Sequence, residues 1–208
     1  MITPAPPAAT DRAISIAARR GSVAGARAVL RALRDRLGAI TTARVLLRVA
    51  RDRVRGEPLR ALPPPRDDRE RRSRAQLRDV VLLDRALRAA TDDATALALC
   101  RVAVHAGGVA FLDAMLPATD LAARAAEVAG WFFNATGTVS QVDDELRFDV
   151  TACDFARLLP RLGAGHLAPL FCEVDRIYFD EPRRGVLLRR SRTLATGGDG
   201  CDFRFRAR

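Results

Sequence analysis

The chain has 208 residues, 49% hydrophobic and 29% charged, which allows one large domain or two small ones and excludes a disordered composition. Aromatics make up only 5%, which counts against a nucleic-acid binder that stacks bases on exposed rings. The formal net charge is +10 and all 35 basic residues are Arg, so Schiff-base and P-loop lysine chemistry is excluded. That charge is uneven. Residues 1–74 hold 18 Arg against seven acids, and residues 75–208 hold 17 Arg against 18 acids.

The Pro- and Ala-rich start, residues 1–10, predicts a disordered tail. Its text, MITPAPPAATDR, lacks the basic-then-apolar pattern of a secretory signal, so a cytoplasmic location is expected. Residues 11–55 repeat Ala, Leu, Val and Ile at three- and four-residue spacing, a helical pattern that Gly21 and Gly38 divide into two or three helices. Residues 62–74, LPPPRDDRERRSR, are expected to be a linker closing a basic segment over 11–74. Helix resumes over 75–90, and Asp92 is the expected N-cap of another running toward Leu116. One further Ala-rich helix is expected over 120–131. Arg, Asp or Gly interrupts the apolar runs before about eighteen residues, so no spanning helix and no membrane partner are expected.

At Trp131 the periodicity changes. WFFNATGTVSQVDDELRFDVTAC alternates like two strands around a turn at Asp143 and Asp144. A short helix over 154–162 and an apolar helix over 166–178 follow, then two strands joined by a loop at 196–200. The expected fold is α+β, with a helical N-terminal part packed on a small antiparallel sheet from the C-terminal third. The α+β domain is expected to span 75–208, with its motif region at 130–208.

Four cysteines bear on chemistry. Cys100 sits in an apolar helical stretch and is expected to be plain core. Cys153, Cys172 and Cys201 fall in the strand-rich part. Without an export signal a disulfide framework is not expected, and no CxxC knuckle supports zinc, so no metal and no cofactor are expected. Cys172 and Asp175 stand three apart, on adjoining parts of one helical face. A carboxylate there can accept a thiol proton or orient a water, although its charge raises the thiol pKa. The counter-charge could come from Arg176, Arg192 or Arg204. An ordinary explanation of CEVD is a buried Cys beside an exposed Asp. In GGDGCDFRF, alternation puts Cys201, Phe203 and Phe205 on one face and Asp202, Arg204 and Arg206 on the other. His166 precedes the Cys172 helix and could pair with it, or serve as a polar helix start; His105 is expected to be a packing residue.

The ordered set FDVTACDF, HLAPLFCEVD and RRSRTLATGGDGCDFRF resembles the L-2-amino-thiazoline-4-carboxylic acid hydrolase family. The positions that carry the likeness are Cys153, then Cys172 and Asp175, then Thr193, Leu194, Ala195, Gly197, Cys201, Asp202 and Phe203. The ending is also similar to four-vinyl-reductase-type small-molecule-binding domains. The resemblance implies a cysteine-dependent hydrolase that opens a cyclic amidine at a C–N bond, such as 2-aminothiazoline-4-carboxylate, toward a carbamoyl-cysteine. It implies Cys172 or Cys201 as nucleophile and Asp175 as base or proton shuttle. Cys153, Thr193 and Asp202 would contact substrate, backbone N–H groups around Gly197 and Gly198 would stabilise developing charge, and Arg192 or Arg204 would hold the carboxylate.

Two alternatives use the same residues. Cys-x-x-Asp with a later Cys is similar to alkylmercury lyase, and a non-catalytic ligand-binding domain would make the thiols structural. An enzyme should show one low-pKa cysteine. The partner expected is a small-molecule substrate, plausibly in secondary metabolism. The helical front could pair with a second copy, and no sequence-specific nucleic-acid binding is expected.

Overall fold

Alanine and arginine at helical spacing carry α1 from Ala8 to Val54, interrupted at Gly38, whose φ of 74° and ψ of 172° leave the helical region. The computed structural model describes residues 8–116 and 132–208. A straight helix as long as α1 would extend about 70 Å. Yet Ala18 and Val29 before the break and Leu46, Val49 and Arg53 after it line one cavity. Gly38 therefore folds the helix back on itself, and Thr42 Oγ1 donates to the Gly38 carbonyl at 2.7 Å. The first seven residues of the expected tail lie outside the described residues, and residues 8–10 already belong to α1.

The linker expected over 62–74 is shorter than its charge suggested. Regular structure is absent at 63–65, but Asp67 accepts from the Glu70 N–H at 2.7 Å and caps α2, Asp68–Arg88. The reason is pairing. Glu70, 1% exposed, accepts from Arg66 (2.6 Å), Arg74 (2.8 Å) and Arg157 (2.8 Å). Asp154 accepts from Arg66 at 3.1 Å and Arg157 at 2.8 Å, while Ser73 reaches it at 3.4 Å. Arg69 adds bonds to the Ala135 carbonyl and Thr136. The charge run is thus a buried clamp from α2 onto the corner that carries Cys153.

Helix α3, Asp93–Met115, begins as expected: Asp92 accepts from the Thr95 N–H at 2.9 Å. Contrary to the expectation from apolar runs, α3 is long and apolar enough to cross a membrane, with a mean hydropathy of 1.6 over its most apolar window. Gly107 and Gly108 did not break the run because Gly is only mildly polar. In this fold α3 packs against α1, α2 and the later helix α5. Gly21 does not end a helix; it meets α3, where an added Cβ would stand 2.7 Å from the Gly107 carbonyl oxygen. The helix expected over 120–131 lies outside the described residues.

The sheet follows: β1, Ala135–Val142, and β2, Glu145–Cys153, joined by the two-residue turn at Asp143 (φ 53°). After α4, Asp154–Arg161, and α5, Ala168–Asp180, come β3, Val186–Arg189, and β4, Cys201–Ala207. All pairs are antiparallel, in the order β1-β2-β4-β3. The fold is α+β, as expected. Alternation in β4 buries Cys201, Phe203 and Phe205 and turns Asp202, Arg204 and Arg206 to the other face. Phe205 packs edge-on against Phe179 of α5 at 5.2 Å, tying helix to sheet.

Candidate active site

Cys153, Cys172, Asp175 and Cys201 line one cavity of about 400 Å³, bounded by α1, α2, α3, the β2–α4 corner, α5 and β4. Local structure explains the convergence. Cys153 ends β2 and is the N-cap residue of α4. The Phe155 and Ala156 N–H groups point toward its sulfur, short of a full capping hydrogen bond, and Asn134 Nδ2 donates to Sγ at 3.6 Å. Cys172 and Asp175, one turn apart on α5, both reach the cavity, so the helical-face argument held. Cys201 opens β4, and the Leu194 N–H donates to its Sγ at 3.3 Å.

The counter-charge is Arg190, a residue not singled out in sequence. Its Nη1 donates to Asp175 Oδ2 at 3.1 Å and its Nη2 to the Cys172 carbonyl at 2.9 Å. Its guanidinium lies 4.9 Å from the Phe203 ring centroid, leaving the side chain 11% exposed. Nothing in the run RRGVLLRRSR distinguishes it from its neighbours; only the end of β3 selects it. Asn134 was missed as well.

The electrostatics differ from expectation. Burial, only partly offset by Arg190, pushes Asp175 up to about 6. Burial and then the Asp175 charge push Cys172 up to about 12. Cys153 and Cys201 are raised too, chiefly by burial, with the N–H groups around them opposing the rise. The expected low-pKa thiol is therefore not formed by these surroundings. At neutral pH the site holds protonated thiols beside a largely ionised carboxylate, an acceptor ready to take a thiol proton. Cys100, also raised to about 12 by burial, lies in the core away from the cavity.

Other expected site residues stand off the cavity. Arg192 pairs with Asp199 at 2.9 Å, and Arg204 with Asp149 at 2.6 Å on the opposite sheet face. Asp202 accepts from the Ser191 and Arg192 N–H groups at 3.0 and 2.9 Å, fixing the turn before the loop. Thr193 serves that loop too: its carbonyl accepts from the Gly198 N–H at 2.9 Å, and the Gly197 N–H turns to Leu194. Those amides close their own turn, which removes them as charge stabilisers. Gly197 is there for its φ of 89°, and only Leu194 and Ala195 of this loop reach the cavity. Arg176 is exposed beside Asp180. His166 bonds Asp84 at 3.0 Å and His105 bonds Glu173 at 2.8 Å, so neither serves a thiol. Among the described residues no three His, Cys, Asp or Glu side chains gather as metal ligands.

No curated protein and no solved structure matches the chain. Residues 71–205 match the family described as L-2-amino-thiazoline-4-carboxylic acid hydrolase, a span that runs from within α2 into β4 and holds every thiol of the cavity. The chain belongs to that hydrolase family.

Proposed function

We propose that this protein opens a small sulfur- and nitrogen-containing heterocycle by hydrolysis at the carbon that joins the two heteroatoms, using a cavity thiol as nucleophile and Asp175 as proton carrier. The observation that carries this reading is the meeting of Cys153, Cys172, Cys201 and Asp175 on one cavity. Sequence favoured Cys172 or Cys201 as nucleophile. The surroundings disfavour Cys172, which burial and then the Asp175 charge raise to about 12; of the other two, Cys153 has the start of α4 and Asn134 turned toward its sulfur, and Cys201 a single N–H, that of Leu194.

In the first step the Cys153 proton passes to Asp175 as Sγ bonds to the ring carbon. The ring carbon–sulfur bond then breaks, and the released sulfur takes the proton back from Asp175. This leaves an isothiourea-type adduct on Cys153 that keeps every substrate atom. In the second step Asp175 deprotonates water, which adds to the same carbon, and Cys153 leaves with the proton. The product is a ureido thiol, the carbamoyl-cysteine pattern. That product requires cleavage of the ring C–S bond in place of the amidine C–N bond implied by the resemblance.

Intact-mass spectrometry after rapid acid quench of the protein with 2-aminothiazoline-4-carboxylate tests the step. An adduct equal to the whole substrate mass on the parent, lost in Cys153→Ala together with turnover, is expected. Full turnover by Cys153→Ala would refute Cys153 as nucleophile. Full turnover by a variant lacking Cys153, Cys172 and Cys201 would refute thiol catalysis altogether.

A further inference from the structure

The cavity's lining does not suit the small carboxylate after which the family is described. The chain is poor in aromatics, yet six of its nine Phe line this one cavity: Phe111, Phe132, Phe133, Phe155, Phe171 and Phe203. Ring contacts join Phe111, Phe133, Phe155 and Phe171 in one series, with Phe155 at 4.9 Å from Phe171, and Phe132 to Phe203 at 4.9 Å in another. Val29, Val49, Val80, Leu83 and Val104 extend the apolar surface between α1, α2 and α3. A volume of about 400 Å³ falls in the range that takes drug-sized ligands, about 300–1,000 Å³, whereas 2-aminothiazoline-4-carboxylate has only about nine non-hydrogen atoms.

Charge points the same way. Among the described lining residues Arg53 is the one cation, and its Nη1 bonds both Asp79 oxygens at 2.8 and 2.9 Å. That pair is half-exposed and belongs to the α1–α2 side, while the thiols lie on β2, α5 and β4. Beside the thiols Arg190 is already committed to Asp175 and the Cys172 carbonyl. Among the described lining residues no cation stands beside the thiols, so a ligand carboxylate placed there would meet the Asp175 carboxylate unpaired, and a buried unpaired charge is strongly disfavoured.

We infer that the substrate is a heterocycle that carries no carboxylate and bears an apolar aromatic or alkyl arm, with its reactive ring at the thiols and its arm along the apolar space between α1, α2 and α3. The inference rests on the ring-opening reading and narrows its substrate class. The arm supplies binding by apolar burial, and Asp175 faces a ring that brings no carboxylate to repel it.

Two probes separate the possibilities: 2-aminothiazoline-4-carboxylate and its N-benzyl amide, which keeps the ring, removes the carboxylate and adds an apolar arm. Binding is read by calorimetry and ring opening by thiol release, both with the full chain. The amide should bind at least tenfold tighter and show at least tenfold higher kcat/KM. Val80→Phe, which fills the arm space, should bring the two probes within about threefold of each other; Ala103→Leu serves the same purpose if Val80→Phe does not fold. Equal or better binding of the carboxylate overturns the inference, and so does no binding of the amide. Turnover of the carboxylate with no gain from the amide would leave the hydrolase reading standing and the inference refuted. Tight amide binding with no ring opening of either probe would support the ligand class, apolar and without a carboxylate, and refute the hydrolase reading.

Discussion

Replacing Asp175 with Asn removes a carboxyl group whose charge the fold opposes. Burial raises its pKa from an ordinary 3.8 to about 6, against the pull of Arg190. The folded protein thus holds this proton more tightly than the unfolded chain. Asp175 costs almost nothing well below pH 3.8, and its penalty grows as pH rises, reaching full size above about pH 6. At 1.36 kcal/mol per pKa unit the full penalty is about 3 kcal/mol, of which a minor part is already present at pH 4. The side chain is only 16% exposed, so solvent screening reduces this little. Asn does not titrate. The stability of Asp175→Asn relative to the parent should therefore rise by about 2 kcal/mol between pH 4 and pH 8. Leaving Arg190 without its carboxylate has a cost of its own, but that guanidinium stays charged throughout, so the term largely cancels in the comparison. Urea denaturation followed by far-UV circular dichroism at unit pH steps measures the difference. Parallel pH profiles for parent and variant would show that Asp175 is not held above its ordinary range, and the proton-carrier argument would fall with it.

The same group sets the activity profile: kcat/KM should drop on the acid side of about pH 6, and Arg190→Gln should move that limb upward by about one unit or more, measured as a pH–rate profile. Glu70→Gln leaves Arg66, Arg74 and Arg157 around a single remaining acid, Asp154, and should destabilise the fold by about 3–5 kcal/mol in chemical denaturation at pH 7. Arg204→Ala, on the sheet face away from the cavity, should change stability by about 0.5 kcal/mol or less and keep turnover within twofold, checked by denaturation and steady-state kinetics. Arg48, Arg51, Arg55, Arg60, Arg85 and Arg88 surround a recess that also holds Asp52 and Glu57. Fluorescence anisotropy should find weak, sequence-indifferent DNA binding that falls steeply with salt, and discrimination between sequences at about 150 mM salt would contradict this.

Much of the site could be read from the sequence because its signals are local. Period-two alternation placed Cys201, Phe203 and Phe205 together, helical spacing joined Cys172 to Asp175, and a side-chain cap marked the start of α3 at Asp92. Contacts between distant residues left no such trace. Arg190 reaches Asp175 across 15 positions, and nothing in a run of arginines tells which one faces inward. Glu70 read as part of a solvated charge run because its partner Arg157 comes 87 residues later, and only the packed chain brings them together. Gly38 was a recognisable break, but whether the chain bends or reverses there depends on the cavity that both arms enclose.

The clamp at Glu70 has a consequence for where this protein can be divided. The stretch alike to its family begins at residue 71, one position beyond the carboxylate that gathers three arginines, and leaves out all of α1. A fragment cut to the shared stretch would keep Arg74, Asp154 and Arg157 but lose Glu70 and Arg66, and it would open the cavity along the wall that Ala18, Val29 and Val49 provide. The stretch that matches the family is thus shorter than the set of elements that enclose the cavity. The arginine-rich front belongs to that enclosure, and its apolar side forms part of the cavity wall.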